Sequence, residues 1–169
     1  MQNSLILASG SPRRRELLSL MGITYQICPA DVDEHMTGAP DEVVMALSRR
    51  KALAVAERYS GCTVLGADTL VACRGEIMGK PQDQQDAMRM LMLLSGGENN
   101  VYTGVTVIDG KTGRVDTRCD QTRVHFVPIT PEAAQRYIDS GEPMDKAGAY
   151  GAQGMGGMFV SAIEGSPPT

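Results

Sequence analysis

"SLILASGSPRRRELLSLMGITYQICP", residues 4–29, decides the fold. A short apolar run over 4–9 ends in a Gly/Ser turn, a helix follows over 12–22, Gly22 stops it, and a second strand runs over 24–29. Ser11 before Pro12 is a strong helix start, because a proline at the first helical position lacks an N–H that would go unsatisfied there. Strand, helix and strand in so short a span make a parallel unit. That unit puts the turn at Gly10 and Ser11 at the carboxyl end of the first strand, where open α/β sheets bind ligands. The helix then begins with Arg13, Arg14 and Arg15, at the positive end of its dipole, where cations are disfavoured. Two readings account for them. Free N–H groups at a helix start together with guanidinium donors form an anion site; alternatively the arginines are solvated or pair with Glu16, Asp31 or Asp33.

Outward from this unit the elements alternate. After the polar loop "ADVDEHMTGAP" a long helix is expected over about 41–59, then two strands over 62–79 with a turn at Arg74-Gly75, and a helix over about 83–94. Residues 100–129 read as a β-hairpin turning at "DGKTG", with β-branched residues on both arms. Thr130 caps a helix over 131–139, and a last strand is expected over 158–163. The class is α/β with a mixed sheet.

The bulk composition narrows the functions. The 169 residues are 42% hydrophobic and 21% charged, enough for a sizeable core, and the net charge of -4 gives no general electrostatic case for a nucleic-acid polymer or a membrane surface. The N-terminal stretch has too short an apolar run for a signal peptide, and no segment reaches the length of a membrane span, so a cytoplasmic protein is expected. Cys28, Cys62, Cys73 and Cys119 show no C-x-x-C pair, and His35 and His125 are the only histidines, which points away from zinc. A metal here would be held by oxygen ligands, hence magnesium or manganese.

Four further features carry chemistry. At 100° per residue the apolar face of the second helix holds Val43, Val44, Leu47 and Ala54, with Lys51 between Leu47 and Val44; such a lysine either has an anionic partner or snorkels to the surface. Asp68 in "TVLGADTLVA" sits inside an apolar strand, where a carboxylate is costly unless paired, metal-bound or used as a base; a merely structural strand-end aspartate is the other reading. Asp31, Asp33 and Glu34 in "DVDEH" are either solvated or join Asp68 around a divalent ion. "GEIMGKP" with Lys80 and the glycine-dense "DKAGAYGAQGMGG" are either mobile surface loops or backbone that approaches a ligand closely. Together, scattered cations, carboxylates and Gly-rich loops describe a polyphosphate-plus-metal site.

In order and spacing, "LILASGSPRRRELL", "VDE", "KA" at 51–52, "GADT", "GKP" and "DKAGAYGAQG" closely resemble the Maf family of nucleoside triphosphate pyrophosphatases, from residue 4 to about residue 165. The resemblance implies a mixed, largely antiparallel twisted sheet flanked by helices, of the inosine-triphosphatase-like kind, in two lobes with a cleft. It implies metal-dependent hydrolysis of a nucleoside triphosphate to the monophosphate and pyrophosphate. Within the family this chain is similar to the dTTP/UTP branch, with Arg13, Thr69 and Gln153 at that branch's specificity positions; the 7-methyl-GTP branch has Trp before the arginines and Gln after the aspartate. By the same resemblance Ser9, Ser11, Arg13, Arg14, Asp145 and Lys146 contact substrate, Asp68 is the general base, and Glu34 and Asp68 hold Mg2+ or Mn2+. Lys51 and Lys80 neutralise charge on the phosphate oxygens. The two roles of Asp68 compete.

Related chains continue for some 25 to 30 residues with a "VVGLPL"-like segment and a closing helix, whereas this sequence stops at "EGSPPT", so the expectation is one Maf-like domain over 1–169 without that last strand and helix. Pro167-Pro168 can neither extend a strand ladder nor start an ordinary helix end. An apolar patch left there would promote self-association, with a homodimer as the expected assembly. A second function class stays open: a non-catalytic nucleotide-binding regulator of cell division and septum formation. The carboxylates in the phosphate pocket argue against it, because binding alone does not need them.

Overall fold

The computed structural model describes residues 4–165, so the reading of Pro167-Pro168 lies outside the described residues. Among the described residues seven strands form one mixed sheet: β1 (Leu5–Leu7), β2 (Gln26–Ile27), β3 (Thr63–Cys73), β4 (Glu76–Met78), β5 (Glu98–Asp109), β6 (Val115–Phe126) and β7 (Val160–Glu164). Their order is β2-β1-β3-β5-β6-β7, with β4 paired to β3. The helices are α1 (Pro12–Leu20), α2 (Pro40–Ala56), α3 (Gln84–Leu94) and α4 (Pro131–Asp139). Among the described residues no helix is long and apolar enough to cross a membrane.

The chain divides into two compact units, the first holding residues up to Asp68 and Thr103–Cys119, the second Thr69–Tyr102 and the residues from Asp120 on. In the first unit β1 pairs in parallel with both β2 and β3, as the opening stretch predicts. Flanked on both sides, β1 buries Ile6 and Leu7 completely. The expected strand over 24–29 is only the two exposed residues of β2. Helix α1 ends where Gly22 takes φ +72°; the Gly22 N–H bonds the Ser19 carbonyl and the Ile23 N–H the Leu18 carbonyl, the paired closure that a left-handed glycine permits. Helix α2 stops at Ala56, three residues short of expectation. It buries Val43, Val44, Leu47, Ser48, Ala52 and Val55, while Ala54 is only half-buried. Val44, Ser48 and Ala52 are spaced four apart and form one line along the helix. That line rests on two strand glycines: a Cβ at Gly66 would stand 2.5 Å from the Ser48 carbonyl oxygen, and one at Gly104 2.2 Å from that of Val44.

The second unit has its own core, built from Val71, Met78, Leu91, Leu94, Val124, Phe126, Tyr137, Ile138 and Phe159 among others. Asp83 caps α3 by accepting the Asp86 N–H, and Thr130 caps α4 by accepting the Ala133 N–H, the latter as expected from sequence. The β3–β4 turn falls at Arg74 and Gly75, both with positive φ as a two-residue hairpin requires. Residues expected to begin the last strand at 158 instead belong to a short 3-10 turn, Met155–Phe159, and β7 pairs antiparallel with β6 from Val160.

Candidate active site

The first unit gathers its chemistry at the end of β1 and along β3. Ser9, buried, accepts the Ser11 N–H at 3.2 Å and an Arg14 guanidinium N–H at 2.9 Å. Ser11 occupies the N-cap position of α1, yet its side chain makes no capping bond. Ser11 is thus the N-cap residue before Pro12 that the sequence predicts, and the nearby hydroxyl that engages this turn is that of Ser9. Arg13 pairs with Glu16 at 3.3 Å, and Arg14 feels the charges of Asp68 and Glu34. Burial pushes the Arg14 guanidinium down, and the two carboxylates pull it back up. The Nε atoms of Arg13 and Arg15 are buried without a hydrogen-bond partner among the described residues.

Lys51 is the centre of the cluster. Its Nζ lies 2.7 Å from Glu34 Oε1 and 2.9 Å from Asp68 Oδ1, with the lysine side chain 14% and the aspartate 10% exposed. The lysine on the apolar face of α2 thus has anionic partners and does not snorkel. Burial pushes the Asp68 carboxyl above its ordinary range; Lys51 and Arg14 oppose this and Glu34 adds to it. Asp68 Oδ2 is buried and has no hydrogen-bond partner among the described residues.

Glu34 is brought to Lys51 by a pinned loop. Arg50, adjacent to Lys51 on α2, donates to the Asp33 carbonyl oxygen at 2.5 Å, and Asp33 Oδ1 accepts the His35 N–H at 2.9 Å and lies 3.0 Å from His35 Nδ1. Asp33 thereby turns one carboxylate oxygen into its own turn. Of the two readings of the acidic loop, the geometry gives no support to Asp31 and Asp33 joining Glu34 and Asp68: among the described residues no three His, Cys, Asp or Glu side chains are grouped to hold a metal. What remains is a pair of carboxylates on one ammonium. A few hard oxygen donors, one of them an unpartnered buried oxygen, fit Mg2+ or Mn2+, which take their other ligands from water and phosphate.

In the second unit Thr69, half-buried, follows Asp68 directly along β3. Lys80, exposed, comes just after β4, where the Gly79 carbonyl accepts the Gly148 N–H at 3.0 Å and so joins "GKP" to "DKAGAYG". Lys146 Nζ meets Asp145 Oδ1 at 2.9 Å, and Gln153 is exposed. Two residues went unread in the sequence. The Glu142 carboxylate accepts the N–H groups of Met155 and Gly156, and the Tyr137 hydroxyl accepts that of Gly151. Nothing in local periodicity signals a carboxylate that reaches thirteen residues along the chain.

A mixed α/β sheet with a buried aspartate and an exposed glutamate on one lysine, beside an arginine-rich helix start, defines a protein equipped to handle phosphate anions and a water. The family described as Maf-like protein matches residues 4–169, and the chain belongs to it. It is 48% identical over 163 residues to the dTTP/UTP pyrophosphatase of Symbiobacterium thermophilum, covering 95% of this chain and 83% of that one. The dTTP/UTP pyrophosphatases of Moorella thermoacetica (46%, covering 96% and 85%) and Bacillus cereus strain ZK (47%, covering 95% and 84%) are similarly related. Among solved structures the Staphylococcus aureus Ham1 protein is similar at TM-score 0.47 and 13% identity, over 91% of this chain and 78% of that one.

Proposed function

We propose that the chain hydrolyses nucleoside triphosphates, dTTP and UTP foremost, to the nucleoside monophosphate and pyrophosphate. The observation that carries this is Asp68: one oxygen is fixed on Lys51 and the other is buried, unpartnered and raised in basicity. Such an oxygen is suited to take a proton from an attacking water. The water oxygen bonds the α-phosphorus, the bond from that phosphorus to the bridging oxygen of the β-phosphate breaks, and pyrophosphate leaves. Arg14 and Lys51 meet the negative charge on the phosphate oxygens, supported by the N–H groups at the start of α1. Relatives named dTTP/UTP pyrophosphatase at 44 to 48% identity support the choice of substrates.

Glu34 and Asp68 are the residues that would hold Mg2+ or Mn2+, which when bound adds positive charge against the phosphates. With Oδ1 on Lys51 only Oδ2 is left on Asp68, and the two roles compete for it. We assign Oδ2 to the proton of the water and Glu34 to the ion. By family resemblance Lys80 is assigned to charge neutralisation, Asp145 and Lys146 to substrate contact, and Arg13, Thr69 and Gln153 to choice of base.

The test is pyrophosphate release from a panel of nucleoside triphosphates that includes 7-methyl-GTP, with and without Mg2+ or Mn2+. Metal-dependent release from dTTP and UTP and none from 7-methyl-GTP is expected. No release from any of them by folded protein would favour the nucleotide-binding regulator instead. Ser9→Ala frees Arg14 from its 2.9 Å bond; KM for dTTP is expected to rise about tenfold, the worth of one hydrogen bond to a charged group, with kcat changing less. An unchanged KM in steady-state kinetics would remove Ser9 from the binding of substrate.

A further inference from the structure

In the second unit the segment "GAQGMGG", residues 151–157, has one side chain able to hydrogen-bond, Gln153. That residue is exposed, but the backbone on either side of it is tied down. On the near side the Gly151 N–H donates to the Tyr137 hydroxyl at 3.1 Å. On the far side the N–H groups of Met155 and Gly156 donate to the two oxygens of Glu142 at 3.0 and 3.1 Å. The Tyr137 hydroxyl and the Glu142 carboxylate also act on each other electrostatically, so both ties end on neighbouring side chains. The pair is anchored to the core of its unit: Tyr137 is 1% exposed on α4, and its ring meets Phe159 edge-to-face at 5.5 Å.

The glycines of the segment are what let the chain come this close. A Cβ at Gly154 would stand 1.8 Å from Glu142 Oε1, and one at Gly156 2.5 Å from the Tyr137 hydroxyl. A carboxylate that grips two successive backbone N–H groups fills the concavity that an anion would otherwise occupy. It fixes the direction of the backbone there, and with the Tyr137 tie it closes both ends of the bend that carries Gln153.

We infer that Tyr137 and Glu142 are positioning residues for substrate selection: together they hold the bend at 151–156 in the one shape that presents Gln153 to the nucleotide base. This rests on the reading above that Gln153 takes part in choosing the base. The residues touch no substrate themselves; their effect passes through the backbone N–H groups of the bend.

Tyr137→Phe keeps the ring and its packing and removes only the hydroxyl, while Glu142→Gln keeps the shape and loses the charge. Both variants are to be compared with the parent by amide hydrogen exchange and by kcat/KM for dTTP against GTP. Exchange at Gly151, Met155 and Gly156 is expected to quicken about tenfold or more as the local bonds are lost. The preference for dTTP is expected to fall about tenfold through KM, with kcat within about twofold of the parent, since the reacting groups stay in place. Unchanged exchange in both variants overturns the inference, and so does faster exchange with the dTTP preference intact. Gln153→Ala tests the underlying reading by itself: if it leaves the preference intact while Tyr137→Phe erodes it, the assignment of Gln153 falls and the tether stands as a device acting through the backbone. Should the parent hydrolyse no nucleotide, calorimetric binding of dTTP and GTP replaces the kinetics with the same two outcomes, and only the proposed reaction is lost.

Discussion

Asp68→Asn is expected to lose about a thousandfold in kcat, the usual worth of a positioned proton acceptor, and to melt at or above the temperature of the parent at neutral pH. The two halves of this expectation have one cause. The Asp68 carboxyl is pushed above its ordinary value chiefly by burial, so the folded chain favours its protonated form. A group of this kind contributes stability that is complete below the unfolded value and lost as pH rises through the folded one. At neutral pH the ionised carboxylate therefore weighs against the fold, and an amide does not. Lys51 keeps Glu34 at 2.7 Å in the variant, so no ammonium is stranded. Pyrophosphate release together with thermal melts from about pH 4 to pH 8 checks both halves. Near-normal turnover would take Asp68 out of the reaction, and a large drop in melting temperature would make its role structural.

The same environment sets the acid side of the pH profile. The limb of kcat/KM governed by Asp68 is expected above the ordinary carboxylate range. Lys51→Met removes the charge that lowers Asp68 and should move the limb higher; Glu34→Gln removes one that raises it and should move the limb lower. Glu34→Gln at saturating Mg2+ should recover more turnover than Asp68→Asn does, if the ion belongs to Glu34 and the proton to Asp68.

Much of this arrangement was legible along the chain because local chemistry dictates it. Pro12 and Gly22 bracket α1, Thr130 and Pro131 open α4, and Arg74-Gly75 turns β3 into β4, each through backbone constraints that involve no distant residue. Lys51 and Asp68 stood out because charge inside an apolar pattern is costly without a partner, and they prove to be each other's partner. What escaped was orientation. Adjacent helical residues point 100° apart, so which of Arg13, Arg14 and Arg15 turns toward the carboxylates depends on the phase of the helix, and it is Arg14 that meets the buried Ser9 hydroxyl. Asp33 looked as fit for a metal as Glu34 until its carboxylate closed on His35. Glu142 reads as an ordinary loop acid next to a proline, and its grip on Met155 and Gly156 exists only in three dimensions.

The geometry of the cluster depends on how closely α2 approaches the sheet, and the largest effect on stability is expected at Gly104. A Cβ there would lie 2.2 Å from the Val44 carbonyl oxygen, 2.4 Å from the Val44 carbonyl carbon and 2.8 Å from the Met45 nitrogen, all backbone atoms of α2. No rotamer can relieve such a clash, so the helix itself must lift. Gly66 makes the equivalent approach on β3, and because alternate residues of a strand share a face, it stands on the same face as Asp68. The two glycines thus bring the helix down far enough for the short side chain of Asp68 to reach Lys51, seven residues and two turns beyond Val44. Gly104→Ala is expected to cost about 3 kcal/mol or more in urea unfolding, at the upper end of what overpacking costs. Turnover at a temperature where the variant is still folded should fall about a hundredfold, because raising α2 by even 1 Å opens the 2.9 Å contact between Lys51 and Asp68. A variant within about 0.5 kcal/mol of the parent, the ordinary scatter of surface substitutions, would mean that α2 does not bear on the strand at Gly104. The expected loss of stability with turnover intact would instead separate the seat of the helix from the placement of Lys51.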